Sequence, residues 1–214
     1  MSDAAPSAGP ALDRRFLLAA GVAVPLLAGW VLGVTLVLGP LWGWALGLCA
    51  YWAFLGGALM AWGDRDWLRE WLEARWPGWP VAILLALPVL GLGMVTLRLL
   101  GEAPLPPQFL IAAAIGAVAN GTLEELFWRG AMIPEPTPRS AAVSLAAFTG
   151  AHAIWLGALG LETGAAPAAT LAAALALGGV WTAARLVTGT VGAGVLSHAG
   201  FNLFAFAQVL ALNL

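Results

Sequence analysis

Lysine is absent, cysteine occurs once and histidine twice in 214 residues, and charged side chains make up only 9% of the chain. Soluble globular domains carry roughly 25% charged residues, so a water-exposed fold is excluded. The single Cys49 lies in an apolar run, which rules out an intrachain disulfide, a cysteine-rich zinc site and a haem-attachment motif. All nine basic residues are arginine, set against eleven acidic residues for a net charge of −2. No clustered basic face is visible, so nucleic acid is not an expected partner. The arginine-only basic set fits a GC-rich, prokaryotic source better than it fits any particular function.

What is present is hydrocarbon, with 61% of residues hydrophobic. An apolar helix crosses the ~30 Å core of a bilayer in about 20 residues. The long uncharged stretches accommodate seven such helices, near 16-39, 41-62, 80-100, 109-131, 140-160, 166-187 and 191-212. Continuous apolar character, without the alternation of a lipid-facing strand, predicts an all-α polytopic transmembrane helix bundle. The first run continues straight into a second and is expected to be retained rather than cleaved as a signal peptide. Residues 1-15 read as a disordered tail, 16-108 as amino-terminal transmembrane helices and 109-214 as the transmembrane core that carries the chemistry.

Between the second and third spans, residues 64-76 interleave Trp67, Leu68, Trp71, Leu72 and Trp76 with Arg65, Arg69, Glu70, Glu73 and Arg75, the pattern of an interfacial amphipathic helix. Five of the twelve tryptophans fall between Trp62 and Trp79, where interfacial anchoring is expected. With the amino terminus in the cytoplasm, Arg14, Arg15, Arg65, Arg69, Arg75 and Arg139 lie on the cytoplasmic side and only Arg98 nears an outer loop, as the positive-inside rule prefers. The expected location is therefore integral to a prokaryotic cytoplasmic (inner) membrane. Pro88 is expected to kink the third span. Pro134, Pro136 and Pro138 are expected to stiffen the loop after the fourth. Small residues such as Gly116, Gly150, Gly178 and Gly194 predict close helix packing. Oligomeric state is not readable.

An ionisable side chain near the bilayer centre costs at least ~2.5 kcal/mol, so each one inside a span requires a partner or a function. Glu124, Glu125, Arg129 and Arg185 are such residues, and His152, His198 and Asn202 also lie in apolar stretches. Glu125 and Arg129, spaced i, i+4, can form an ion pair of purely structural value. Glu124 points about 100° away from Glu125 around the helix and is not expected to share its partner. His152 reads either as a satisfied core histidine or as a catalytic group. His198 and Asn202 are i, i+4 hydrogen-bonding groups. They suit either interhelical packing or stabilisation of a developing oxyanion.

Glu124-Glu125-Leu-Phe-Trp-Arg129, Phe148-Thr-Gly-Ala-His152 and His198-Ala-Gly-Phe-Asn202 follow one another in the order and form of three motifs, EExxxR, FxxxH and HxxxN. In this the chain resembles the CAAX protease and bacteriocin-processing (ABI) family of intramembrane endopeptidases, over roughly residues 109 to 205. The resemblance implies an intramembrane glutamate-dependent protease acting on a membrane-inserted or lipid-anchored peptide. It assigns Glu124 as general base, His152 as its partner in polarising water, Glu125 and Arg129 as a supporting ion pair, and His198 and Asn202 as oxyanion donors. No cofactor is expected. Zinc held by Glu124, His152 and His198 is the alternative, disfavoured because the spacing lacks an HExxH pair.

Two other classes stay open: a non-proteolytic membrane scaffold or immunity-type protein, and a proton-linked transporter, though no internal repeat supports the latter. The Pro134 to Pro138 loop and the Gly-rich helix ends are expected to open the bundle laterally. Cleavage is expected nearer the cytoplasmic leaflet.

Overall fold

The computed structural model describes residues 11–214 and is helical throughout, with no strand among the described residues. The helices are α1 (Arg14–Leu38), α2 (Pro40–Trp62), the short α3 (Arg65–Trp71) and α4 (Trp79–Glu102). They continue with α5 (Pro107–Glu124), α6 (Pro138–Ala151), α7 (Pro167–Thr188) and α8 (Gly192–Asn213). α5 runs on as a π-helix over Glu125–Ala131, and α6 as a 3₁₀-helix over His152–Gly157. Among the described residues, seven helices are long and apolar enough to cross a membrane. Their outer faces carry bare hydrocarbon, such as Val37 at 80% and Met60 at 84% exposure, which only lipid would cover.

Helix ends follow local chemistry. Asp13 caps α1 by accepting from the Arg15 N–H at 2.9 Å, and its own N–H donates to the Met132 carbonyl at 2.8 Å. The first ten residues of the expected tail lie outside the described residues, whereas its end is tied to the bundle. Proline opens α2, α4, α5, α6 and α7 in the first turn, where its missing N–H is no loss. α4 continues through Pro88 as one helix. Gly189 closes α7 in the left-handed conformation, with φ of 72°.

A helix stands where the interfacial one is expected but is shorter, Arg65–Trp71, and one of its tryptophans is buried against protein. Trp71 is buried, its carbonyl accepts from the Val191 N–H at 2.7 Å, and its ring lies against Gly130. α3 thus closes the arginine-rich end of the bundle, while Trp67 and Trp76 stay exposed.

At the centre, α5 packs along α8 more extensively than any other pair. The approach is close because a Cβ on Gly121 would lie 2.7 Å from the Ala199 nitrogen. That contact sets Glu124, three residues or just under one turn further along α5, beside His198 of α8. α2 and α7 flank the pair.

Candidate active site

Every residue of the π-helical segment Glu125–Ala131 is buried, so this stretch is enclosed on all sides. π-helical turns are rare and recur at functional sites, because the widened turn re-aims side chains. Arg129 turns back on Glu125 at 3.0 Å, and its guanidinium lies 3.9 Å from the centre of the Phe148 ring. It also donates to the Gly178 carbonyl at 3.3 Å, which makes this cation a bridge from α5 to α7.

His198 joins both glutamates. Its Nε2 is 3.1 Å from Glu124 Oε2 and its Nδ1 is 2.9 Å from Glu125 Oε1. Arg129 pairs with Glu125, and the two carboxylates are joined by the imidazole instead, whose nitrogens on opposite edges span the angle between them. Two acceptors on one ring leave two proton arrangements, an imidazolium between two carboxylates or a neutral ring with one carboxyl proton. The ring is held in plane by Trp181, stacked at 3.7 Å and 12° from parallel.

Glu124 is buried and held by donors on both oxygens. Oε1 accepts from the Tyr51 hydroxyl at 2.8 Å. Oε2 accepts from Asn120 Nδ2 at 3.1 Å and faces His198 Nε2. His152 Nδ1 lies 3.0 Å from the Phe148 carbonyl, an acceptor only, so that nitrogen carries a proton, and in the neutral ring Nε2 offers a lone pair. Asn202 Nδ2 is buried and lacks an acceptor among the described residues.

Glu124, His152, His198 and Asn202 line one cavity of about 560 Å³. Glu125 and Arg129 stand behind it, in contact through His198. The cavity's other walls are mostly apolar, among them Trp44, Leu48, Trp155, Leu177 and Phe206, and it runs toward the loop before α7, where Thr163, Gly164 and Ala165 form part of the lining. No residue of the Pro134 to Pro138 loop lines it. The loop is instead stapled to the bundle by Arg185. Nη2 of Arg185 donates to the Pro134 carbonyl at 2.9 Å, Nε donates to the Arg129 carbonyl at 2.9 Å, and Nη1 donates to Gly189. Thr137 and Ser140 close the loop with a reciprocal capping box.

Tyr51, Asn120 and Trp181 do not emerge from a search for ionisable groups. Asn120 was legible as a polar residue one turn before Glu124 in an apolar helix, and Tyr51 as the chain's single tyrosine, placed inside a span. As for metal, among the described residues no three His, Cys, Asp or Glu side chains are grouped so as to hold an ion. Both nitrogens of His198 already face carboxylates. The zinc arrangement of Glu124, His152 and His198 does not fit these residues as they stand.

Residues 106–204 match the family model described as type II CAAX prenyl endopeptidase Rce1-like. No curated protein and no solved structure matches the chain.

Proposed function

The chain belongs, through residues 106–204, to the Rce1-like family of type II CAAX prenyl endopeptidases, and from that premise we propose that this integral membrane protein is an intramembrane endopeptidase with Glu124 as its general base. The observation that carries the reading is the meeting of Glu124, His152, His198 and Asn202, from three separate spans, at the inner end of one apolar cavity. The substrate is a membrane-inserted or lipid-anchored peptide, since the apolar walls favour a chain delivered from lipid.

Water held between Glu124 and the free Nε2 of His152 attacks the scissile carbonyl carbon. Its proton passes to Glu124 as the new C–O bond forms. The negative charge that develops on the carbonyl oxygen meets Asn202 Nδ2, a donor with no acceptor of its own. Protonation of Glu124 loosens its hold on His198 Nε2, which lets that N–H turn to the oxyanion as well. Glu124 then returns the proton to the amide nitrogen as the C–N bond breaks, releasing an acid and an amine. No step requires a metal.

The test is Glu124→Gln, which keeps the shape of the side chain and removes the base. Peptide mass spectrometry of membranes containing either form should find peptides released by the parent protein and missing from the variant, with both forms equally folded. Identical peptides from both would reject the reading in favour of a scaffold.

A further inference from the structure

The family-matching segment begins at residue 106, yet one of the donors to Glu124 comes from α2, far earlier in the chain. The polarity of that contact is fixed by its neighbour. Trp128 Nε1, an indole N–H that can only donate, lies 3.0 Å from the Tyr51 oxygen. The Tyr51 hydroxyl therefore accepts from Trp128 and has its single proton left for Glu124 Oε1. A second chain repeats the logic one residue on: Trp52 Nε1 donates to Asn120 Oδ1 at 2.8 Å, which leaves Nδ2 of that amide to donate to Glu124 Oε2. Two donor-only indoles thus orient two hydrogen-bonded chains that both end on one carboxylate.

A carboxylate has about four lone-pair sites, two on each oxygen. Asn120 and His198 fill those on Oε2, and Tyr51 fills one on Oε1. One site on Oε1 remains. We propose that Tyr51 is a positioning residue that locks the Glu124 carboxylate so that this single lone pair of Oε1 takes the proton from water. The proposal rests on the reading of Glu124 as general base and goes beyond it by making the amino-terminal half of the chain, Tyr51 above all, a working part of the site. A hydrogen bond of this kind holds a reacting group to the narrow geometry that catalysis needs.

The first experiment measures cleavage of a synthetic peptide spanning a cut site that depends on Glu124, with rates expressed per folded molecule. Tyr51→Phe, which removes only the hydroxyl, should lower kcat on the order of tenfold or more with KM unchanged, as loss of a supporting hydrogen bond does elsewhere. An unimpaired kcat, or a loss confined to KM, would overturn the proposal. If Glu124→Gln itself keeps cleaving, the general-base reading fails instead, so the two failures are distinct.

The second experiment needs neither substrate nor the tyrosine variant. Tyr51 is the only tyrosine, so ultraviolet resonance Raman of the detergent-solubilised protein reports its hydroxyl alone. Glu124→Ala should move the tyrosine doublet away from a donating hydroxyl, and an unchanged doublet would overturn the proposal.

Discussion

The indole of Trp181 lies flat on the imidazole of His198, 3.7 Å away, while its own N–H donates to Ser197 Oγ at 3.1 Å. Ser197 in turn donates to the Leu85 carbonyl at 2.8 Å, so the ring that holds the histidine is pinned from α4 through α8. Stacking against an aromatic face is worth about 0.5–2 kcal/mol and is strongest for a charged partner away from water. Trp181→Leu should therefore free the His198 ring and lower cleavage by roughly tenfold, whereas Trp181→Phe should retain most of it. Initial rates on a Glu124-dependent peptide check this, and equal rates for the two variants would show that the stack does not matter.

Close packing of α5 on α8 makes a second expectation sharp. A Cβ on Gly121 would meet backbone, the Ala199 nitrogen at 2.7 Å, and backbone cannot swing aside as a flexible side chain can. Gly121→Ala should separate the helices next to His198 and lower stability by about 1–3 kcal/mol, the usual cost of overpacking. Gly29→Ala is the control, because nothing lies within 4 Å of a Cβ there. Thermal unfolding in detergent should show a lowered midpoint for the first and no loss for the second.

The span positions were legible because lipid imposes a simple rule: a run of apolar residues with few charges has to be a helix. The expected run at 166-187 is α7, Pro167–Thr188, and the run at 191-212 is α8, Gly192–Asn213. The meeting of Glu124 with His198 was legible only in outline, from polar residues that a bilayer would otherwise exclude. What stayed hidden depends on geometry that periodicity does not encode. The π-helical turns from Glu125 change the angular step within a helix, and the neutral partners Tyr51 and Asn120 carry no charge to betray them. Trp71 read as a lipid anchor because its sequence neighbours are charged, yet the close approach of Gly130 gives it a protein surface to cover.

Arg185 illustrates a buried charge with a structural task. Its guanidinium satisfies the carbonyls of Arg129, Pro134 and Gly189, joining the end of the π-helical segment to the turn after α7. A lysine offers a point charge in place of this planar fork and cannot reach three carbonyls in the same way. The buried Arg129 carbonyl left unpaired costs about 1–3 kcal/mol, so Arg185→Lys and Arg185→Ala should both destabilise the protein, alanine the more. Hydrogen exchange should show the gain in mobility concentrated in residues 129–137. Unchanged protection there would mean that the proline loop is held by other contacts.

The side from which substrate arrives follows from counting crossings. Arg75 and Ala165 are both exposed and are separated by the three spans α4, α5 and α6, so they lie on opposite faces of the membrane. Ala165 belongs to the loop at the far end of the cavity, whereas Glu124 lies seven residues, about 10 Å, from the arginine-side end of its helix. An orientation with the arginine-rich loops in the cytoplasm predicts that Glu124 sits toward the cytoplasmic leaflet and that substrate approaches it from the outer face. In a Cys49→Ala background, an impermeant maleimide added to intact cells should label Ala165→Cys and leave Arg75→Cys unlabelled until the membrane is opened. The adduct at residue 165 should also block cleavage, because it stands at the mouth. Labelling of Arg75→Cys from outside would reverse the orientation, and full activity of the labelled Ala165→Cys protein would show that the peptide enters by another path.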